Sequence, residues 1–128
     1  MRAAFVAIFT LAISVGAFAQ RNGYGMLHDC NLAIAHDDGK QLDDIEKMKV
    51  MRCEMYVAGF LDAVQVYKIL DLTTLFCLPT DRIPIKQAVR IFANYLGAHP
   101  EELNKGAGFL LTRSLQEAFP CKEENKPE

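Results

Sequence analysis

A largely apolar run from Ala3 to Val15 opens the chain, and beyond it apolar residues return at helical rather than alternating intervals. Leu27, Cys30, Ala33 and Ile34 mark a short first helix that should stop before Gly39, glycine being the usual residue just past a helix end. Asp43-Asp44 then opens a long second helix, with Ile45, Met48, Tyr56, Phe60, Ala63, Tyr67 and Leu70 as its inward face. Residues 71–83 hold Thr73-Thr74, Pro79 and Thr80-Asp81 without a period, and read as a long loop. Pro84 suits the start of a third helix with the stripe Ile85, Ala88, Val89, Phe92 and Leu96, ended by Gly97. Pro100, Glu101 and Glu102 open a fourth, carrying Leu103, Ala107, Leu110, Leu111, Leu115 and Ala118 and closed by Pro120. The expected fold is all-α, a four-helix domain over residues 20–121 built of two helical hairpins.

The first apolar run is too short to span a bilayer comfortably, and it ends in Gly16-Ala17-Phe18-Ala19, the small-x-small pattern of a signal-peptidase site. Residues 1–19 therefore read as a signal peptide cleaved after Ala19, and residues 122–128 as a disordered polar tail. The exported chain keeps 13 of the 14 basic residues and all 16 acidic ones, a formal charge of −3. That balance argues against nucleic acid and, once the signal is removed, against an anionic membrane surface as partner.

Four cysteines in a small exported domain read as two disulfides. In an antiparallel hairpin, residues level with each other lie equally far from the turn. The midpoint of Cys30 and Cys53 falls between residues 41 and 42, and that of Cys77 and Cys121 on His99, both in predicted turns. Pairing Cys53 with Cys77 centres on residue 65, and the remaining scheme centres between residues 53 and 54 and on residue 87, all inside predicted helices. The expected pairs are Cys30–Cys53 and Cys77–Cys121, although bridges between hairpins are not bound by the midpoint rule. No C-x-x-C occurs, and His28 with Cys30 is too small a set to close a tetrahedral site, so neither a metal nor a cofactor is expected.

Reaction chemistry finds little support. Asp37, Asp38, Asp43, Asp44 and Glu46 cluster around Gly39, but a calcium loop using that glycine would put its closing Glu at Ile45. A solvated turn followed by helix-start acids fits better. Ser114 is the only serine after the signal, set mid-helix between Arg113 and Leu115, and bridged cysteines cannot attack. His28, His36 and His99 are thus bases without a nucleophile, His99 reads as a turn residue, and no enzyme is expected. Gly59 inside the second helix and Gly106-x-Gly108 in the fourth suggest close helix packing, since glycine there costs about 1 kcal/mol relative to alanine. Asp62 reads as a solvent-facing or internally bonded carboxylate.

A wider set of residues, Cys53-x-x-Tyr56-x-x-Gly59-Phe60-x-Asp62-Ala63, Phe76-Cys77-x-Pro79, Gln87, Tyr95-Leu96-x-x-His99-Pro100-Glu101 and Ala118-Phe119-Pro120-Cys121, resembles the Tai/Rap immunity proteins. The resemblance runs from about Cys30 to Cys121. It implies a periplasmic helical protein that binds and blocks a peptidoglycan amidase effector delivered by type VI secretion, and by analogy a homodimer. Such an inhibitor fills the enzyme's cleft with a protruding loop. Thr80, Asp81 and Arg82, polar, flanked by Pro79 and Pro84 and pinned by Cys77, form the candidate loop, because pinning lowers the ordering cost of binding. The alternative function is a small periplasmic chaperone or stress protein, in which histidines and carboxylates would supply an acid trigger.

Overall fold

The computed structural model describes residues 21–72, 74–79 and 82–122. The signal-peptide reading of residues 1–19, and the tail reading apart from Lys122, lie outside them. Four α-helices follow one another: α1 (Gly23–Asp37), α2 (Asp44–Ile69), α3 (Ile85–Ala98) and α4 (Ala107–Ala118), with a 3₁₀ turn at Pro100–Glu102 before α4. The α1–α2 and α3–α4 hairpins pack together, and α1 touches all three other helices.

Local chemistry explains the helix ends. The Asn22 side chain caps α1, accepting from the Gly25 amide at 3.3 Å. At α2 the Asp43 carboxylate accepts from the Glu46 amide at 2.8 Å while the Glu46 carboxylate accepts from the Asp43 amide at 3.1 Å, a reciprocal capping box. Both helices close through the same paired backbone hydrogen bonds, Lys40 N–H to Ala35 O with Gly39 N–H to His36 O, and Leu72 N–H to Tyr67 O with Asp71 N–H to Lys68 O. Each closure needs a left-handed residue. Gly39 supplies it at φ 95°, whereas α2 uses Asp71 at φ 55°.

The α3 stripe forms as its spacing predicts, with Ala88, Val89, Phe92 and Leu96 buried and Ala93 and Tyr95 beside them. In α4, Ala107, Leu110, Leu111 and Leu115 face the core. The fourth helix begins later than expected, because residues 100–102 form a separate 3₁₀ turn and Gly106 stands at the N-cap of α4. Leu103 is buried between the two segments, whereas Ala118 is exposed.

The inward face of α2 differs from the expected one. Val50, Cys53, Val57, Leu61 and Val64 are buried, while Ile45, Met48, Tyr67 and Leu70 are 67, 69, 52 and 61 % exposed. At 100° per residue the true stripe lies about 100° round the axis from the expected one. The cause is that α2 carries apolar side chains on most sides, so periodicity alone selects no face. Gly59 also departs from expectation, since a Cβ there would meet nothing within 4 Å. The glycine that does allow close packing is Gly23, where a Cβ would stand 2.8 Å from the Leu103 Cα and 2.9 Å from its carbonyl oxygen.

Both disulfides are present as paired from the midpoints. Cys30–Cys53 joins α1 to α2 and both cysteines are fully buried; Cys77–Cys121 ties the α2–α3 connection to the segment after α4 and is exposed.

Candidate functional site

The α2–α3 connection is held at three points. Phe76 and Ile83 drop into the core, the Cys77–Cys121 bridge fixes its outer side, and the Cys77 amide donates to the Phe119 carbonyl at 2.9 Å. The Thr74 hydroxyl donates to the Phe76 carbonyl at 3.0 Å, and the Phe76 ring stacks on Phe60 of α2 at 6.4 Å. An apolar groove of about 350 Å³ opens beside it, lined by Phe60, Ala63, Tyr67, Leu75 and Phe76 and closed by Thr112 of α4. On the other side of the connection Arg82, Pro84, Asp62 and Gln65 line a smaller hollow of about 220 Å³.

Of the three candidate loop residues, only Arg82 is among the described residues, where it is exposed. Thr80 and Asp81 lie outside them. Asp62 is solvent-exposed, as the solvent-facing reading expects, and stands beside Arg82 at the smaller hollow.

The electrostatics centre elsewhere, on a pair that the sequence reading left out. Asp29 is 3 % exposed, and the Arg52 guanidinium grips it with two charge-assisted hydrogen bonds, Nε to Oδ2 at 2.7 Å and Nη2 to Oδ1 at 2.8 Å. Burial pushes the Asp29 carboxyl up, but the Arg52 fork and His28, at 3.5 Å, outweigh it and hold the group below the ordinary carboxylate value. The signal was available in the cysteines: a Cys30–Cys53 bridge sets the preceding residues, Asp29 and Arg52, side by side.

The acidic cluster divides into two roles. Asp43 and Glu46 cap α2, while Asp37 pairs with Lys86 and Arg90 of α3, and Asp38 with Arg90. These contacts, led by the Lys86 hydrogen bond, lower the Asp37 pKa. Among the described residues no group of three or more His, Cys, Asp or Glu side chains is placed to hold a metal ion.

Catalytic combinations fare no better. The Ser114 hydroxyl is buried and donates to the Leu111 carbonyl at 2.8 Å, and all four cysteines are bridged. His99 ends α3, its ring tilted against Tyr95 at 4.3 Å between centroids and 3.3 Å from a Glu101 carboxylate oxygen, as befits a turn residue.

These features define a class: a small helical body, stapled twice, whose exposed features are a bridged loop and an apolar helix face. The family model for Rap1a immunity proteins matches residues 22–121, and the chain belongs to that family. It is thus an immunity protein rather than an enzyme, and membership implies binding of a cognate toxin. No curated protein and no solved structure matches the chain. Two disulfides and this family are consistent with the periplasm.

Proposed function

We propose that the protein is a periplasmic immunity protein that neutralises a peptidoglycan amidase effector of a type VI secretion system. In this reading residues 1–19 direct export and are removed after Ala19, residues 20–121 form the single working domain, residues 122–128 are a dispensable tail, and the protein acts as a homodimer. The observation that carries the reading is the family match over residues 22–121, nearly the whole exported chain. The contact with the enzyme is made by the α2–α3 connection, with Thr80, Asp81 and Arg82 entering or rimming the cleft. The Cys77–Cys121 bridge and the buried Phe76 and Ile83 support that role, because a loop pinned on both sides loses less conformational entropy when it docks.

Co-production tests the reading. Cells that export the cognate peptidoglycan amidase effector should lyse alone and survive when this protein is exported with it. Replacing Thr80, Asp81 and Arg82 together with alanine should weaken protection while leaving the circular dichroism melt unchanged. Lysis despite correct export of the intact protein would overturn the assignment, and full protection by the triple variant would move the contact to another surface. The exposed apolar face of α2 gives the chaperone alternative its one specific support. That alternative predicts suppressed aggregation of several unrelated unfolded clients, without stoichiometric capture of one folded enzyme.

A further inference from the structure

The two disulfides differ in what a thiol from outside can reach. Cys30 and Cys53 are both 0 % exposed between α1 and α2, whereas Cys77 and Cys121 lie on the surface. Thiol–disulfide exchange begins with a thiolate attacking a bridge sulfur, so access decides which bridge reacts in the folded chain. The buried bridge meets a thiolate only after the core opens, a state that roughly one chain in a thousand or fewer occupies in a domain of ordinary stability.

The surroundings of the exposed bridge suit opening and reclosing. Cys77 lies in the irregular connection between α2 and α3, and Cys121 follows the end of α4, so neither belongs to a helix that reduction would break. Phe76 and Ile83 anchor the connection in the core. Phe119 packs against the same core, and its carbonyl accepts from the Cys77 amide at 2.9 Å. These contacts keep the two segments beside each other without the covalent bond, so reclosure is intramolecular. The other two cysteines are bridged, which leaves no third thiol to divert it.

We propose that Cys77–Cys121 is a thiol–disulfide exchange site for an external dithiol of the C-x-x-C type, and that Cys30–Cys53 is the permanent staple. A thiolate of the dithiol attacks one bridge sulfur, forming a mixed disulfide as the Cys77–Cys121 bond breaks and the other sulfur leaves as a thiolate. The second thiol of the dithiol then attacks its own sulfur in the mixed disulfide and displaces the remaining cysteine. Two electrons and two protons have passed to the chain, Cys77 and Cys121 are thiols, and the partner departs with its own disulfide closed. The chain carries no C-x-x-C, so the resolving thiol comes from the partner. Opening removes the covalent tie between the α2–α3 connection and the segment after α4, while the helical body keeps its buried bridge. The redox state therefore sets how firmly that surface is held. The inference goes beyond the proposed function and stands whichever surface meets the toxin.

Dithiothreitol serves as the dithiol probe on the exported, oxidised protein in buffer without denaturant, with alkylation and peptide mapping at intervals. Cys77 and Cys121 should be alkylated at least about 100-fold faster than Cys30 and Cys53, and the singly bridged form should accumulate with its helical circular dichroism kept. Glutathione disulfide added to that form should restore Cys77–Cys121. In the open form the Cys77 amide should exchange with deuterium at least about tenfold faster, while the amides of Val57 and Phe92, inside α2 and α3, keep their protection. Cys77→Ser with Cys121→Ser should show the same exchange pattern with no reductant present. Loss of both bridges at one rate, or of Cys30–Cys53 first, would overturn the proposal. An open form whose Cys77 amide exchanges as slowly as before would overturn it too, since the bridge would then hold nothing that the buried anchors do not.

Discussion

The two disulfides sit in opposite surroundings. Cys30–Cys53 is sealed in the core between α1 and α2, with the Asp29–Arg52 pair alongside; Cys77–Cys121 lies at the surface and ties an irregular connection to the end of the chain. Loop closure alone ranks the second higher, at about 4.0 kcal/mol for a separation of 44 residues against about 3.4 kcal/mol for 23. Burial reverses the order, because deleting two buried sulfurs also leaves a cavity that costs roughly a further 1 kcal/mol or more. The comparison separates a bridge that is part of the packing from one that positions a surface.

The largest predicted effect breaks this comparison outright. Cys30→Ala with Cys53→Ala should lose about 4–5 kcal/mol in chemical denaturation, and Cys77→Ser with Cys121→Ser less than that. The reverse order would mean that chain entropy alone governs. If the bridged loop makes the contact proposed for it, the surface-bridge variant should instead lose disproportionately in toxin neutralisation.

Next comes Arg52→Ala, which strands a buried carboxylate and should cost about 3 kcal/mol near neutral pH. Its pH dependence carries a sign. With Arg52 present, the Asp29 pKa is lowered on folding, so its contribution is intact above the ordinary carboxylate value and fades as pH falls through the lower folded value. Without Arg52 the buried carboxylate loses its principal counter-charge, so the stability that its ionised form contributes, and the loss of that stability on acidification, should both shrink. Urea titrations of both proteins between pH 3 and 7 show whether the two slopes differ.

Gly23→Ala comes third. The added methyl meets the backbone of Leu103, which cannot rotate away, so a loss of about 2 kcal/mol is expected from thermal melts. The smallest effect lies at the loop and has the opposite direction. Asp71→Gly relieves a left-handed aspartate where the loop leaves α2 and should stabilise by about 0.5 kcal/mol.

Legibility in the sequence followed how many physical signals coincided. Both cysteine pairs could be read because antiparallel helices make distance from the turn a ruler. The α3 stripe could be read because Ala88, Val89, Phe92 and Leu96 have polar neighbours on the other sides. α2 could not be read in this way, since Ile45, Met48, Met51 and Met55 compete with Val50, Val57 and Leu61 for the inward role. The bridged cysteine breaks the tie: positions at helical spacing from Cys53 are the buried ones. Gly23 left no trace, because its crowding arises from Leu103 and Leu110, 80 or more residues away in the chain. At the candidate loop the anchors Cys77, Pro79 and Pro84 were legible, whereas the inward turns of Phe76 and Ile83 depend on the assembled core.

The central claim is that this chain protects by binding one toxin, and titrating the purified, oxidised protein into a purified peptidoglycan amidase effector of the proposed class tests it most directly, with peptidoglycan cleavage as the readout. The account predicts that cleavage falls linearly and stops at one chain per enzyme. Undiminished cleavage at a large excess of correctly bridged protein would contradict it.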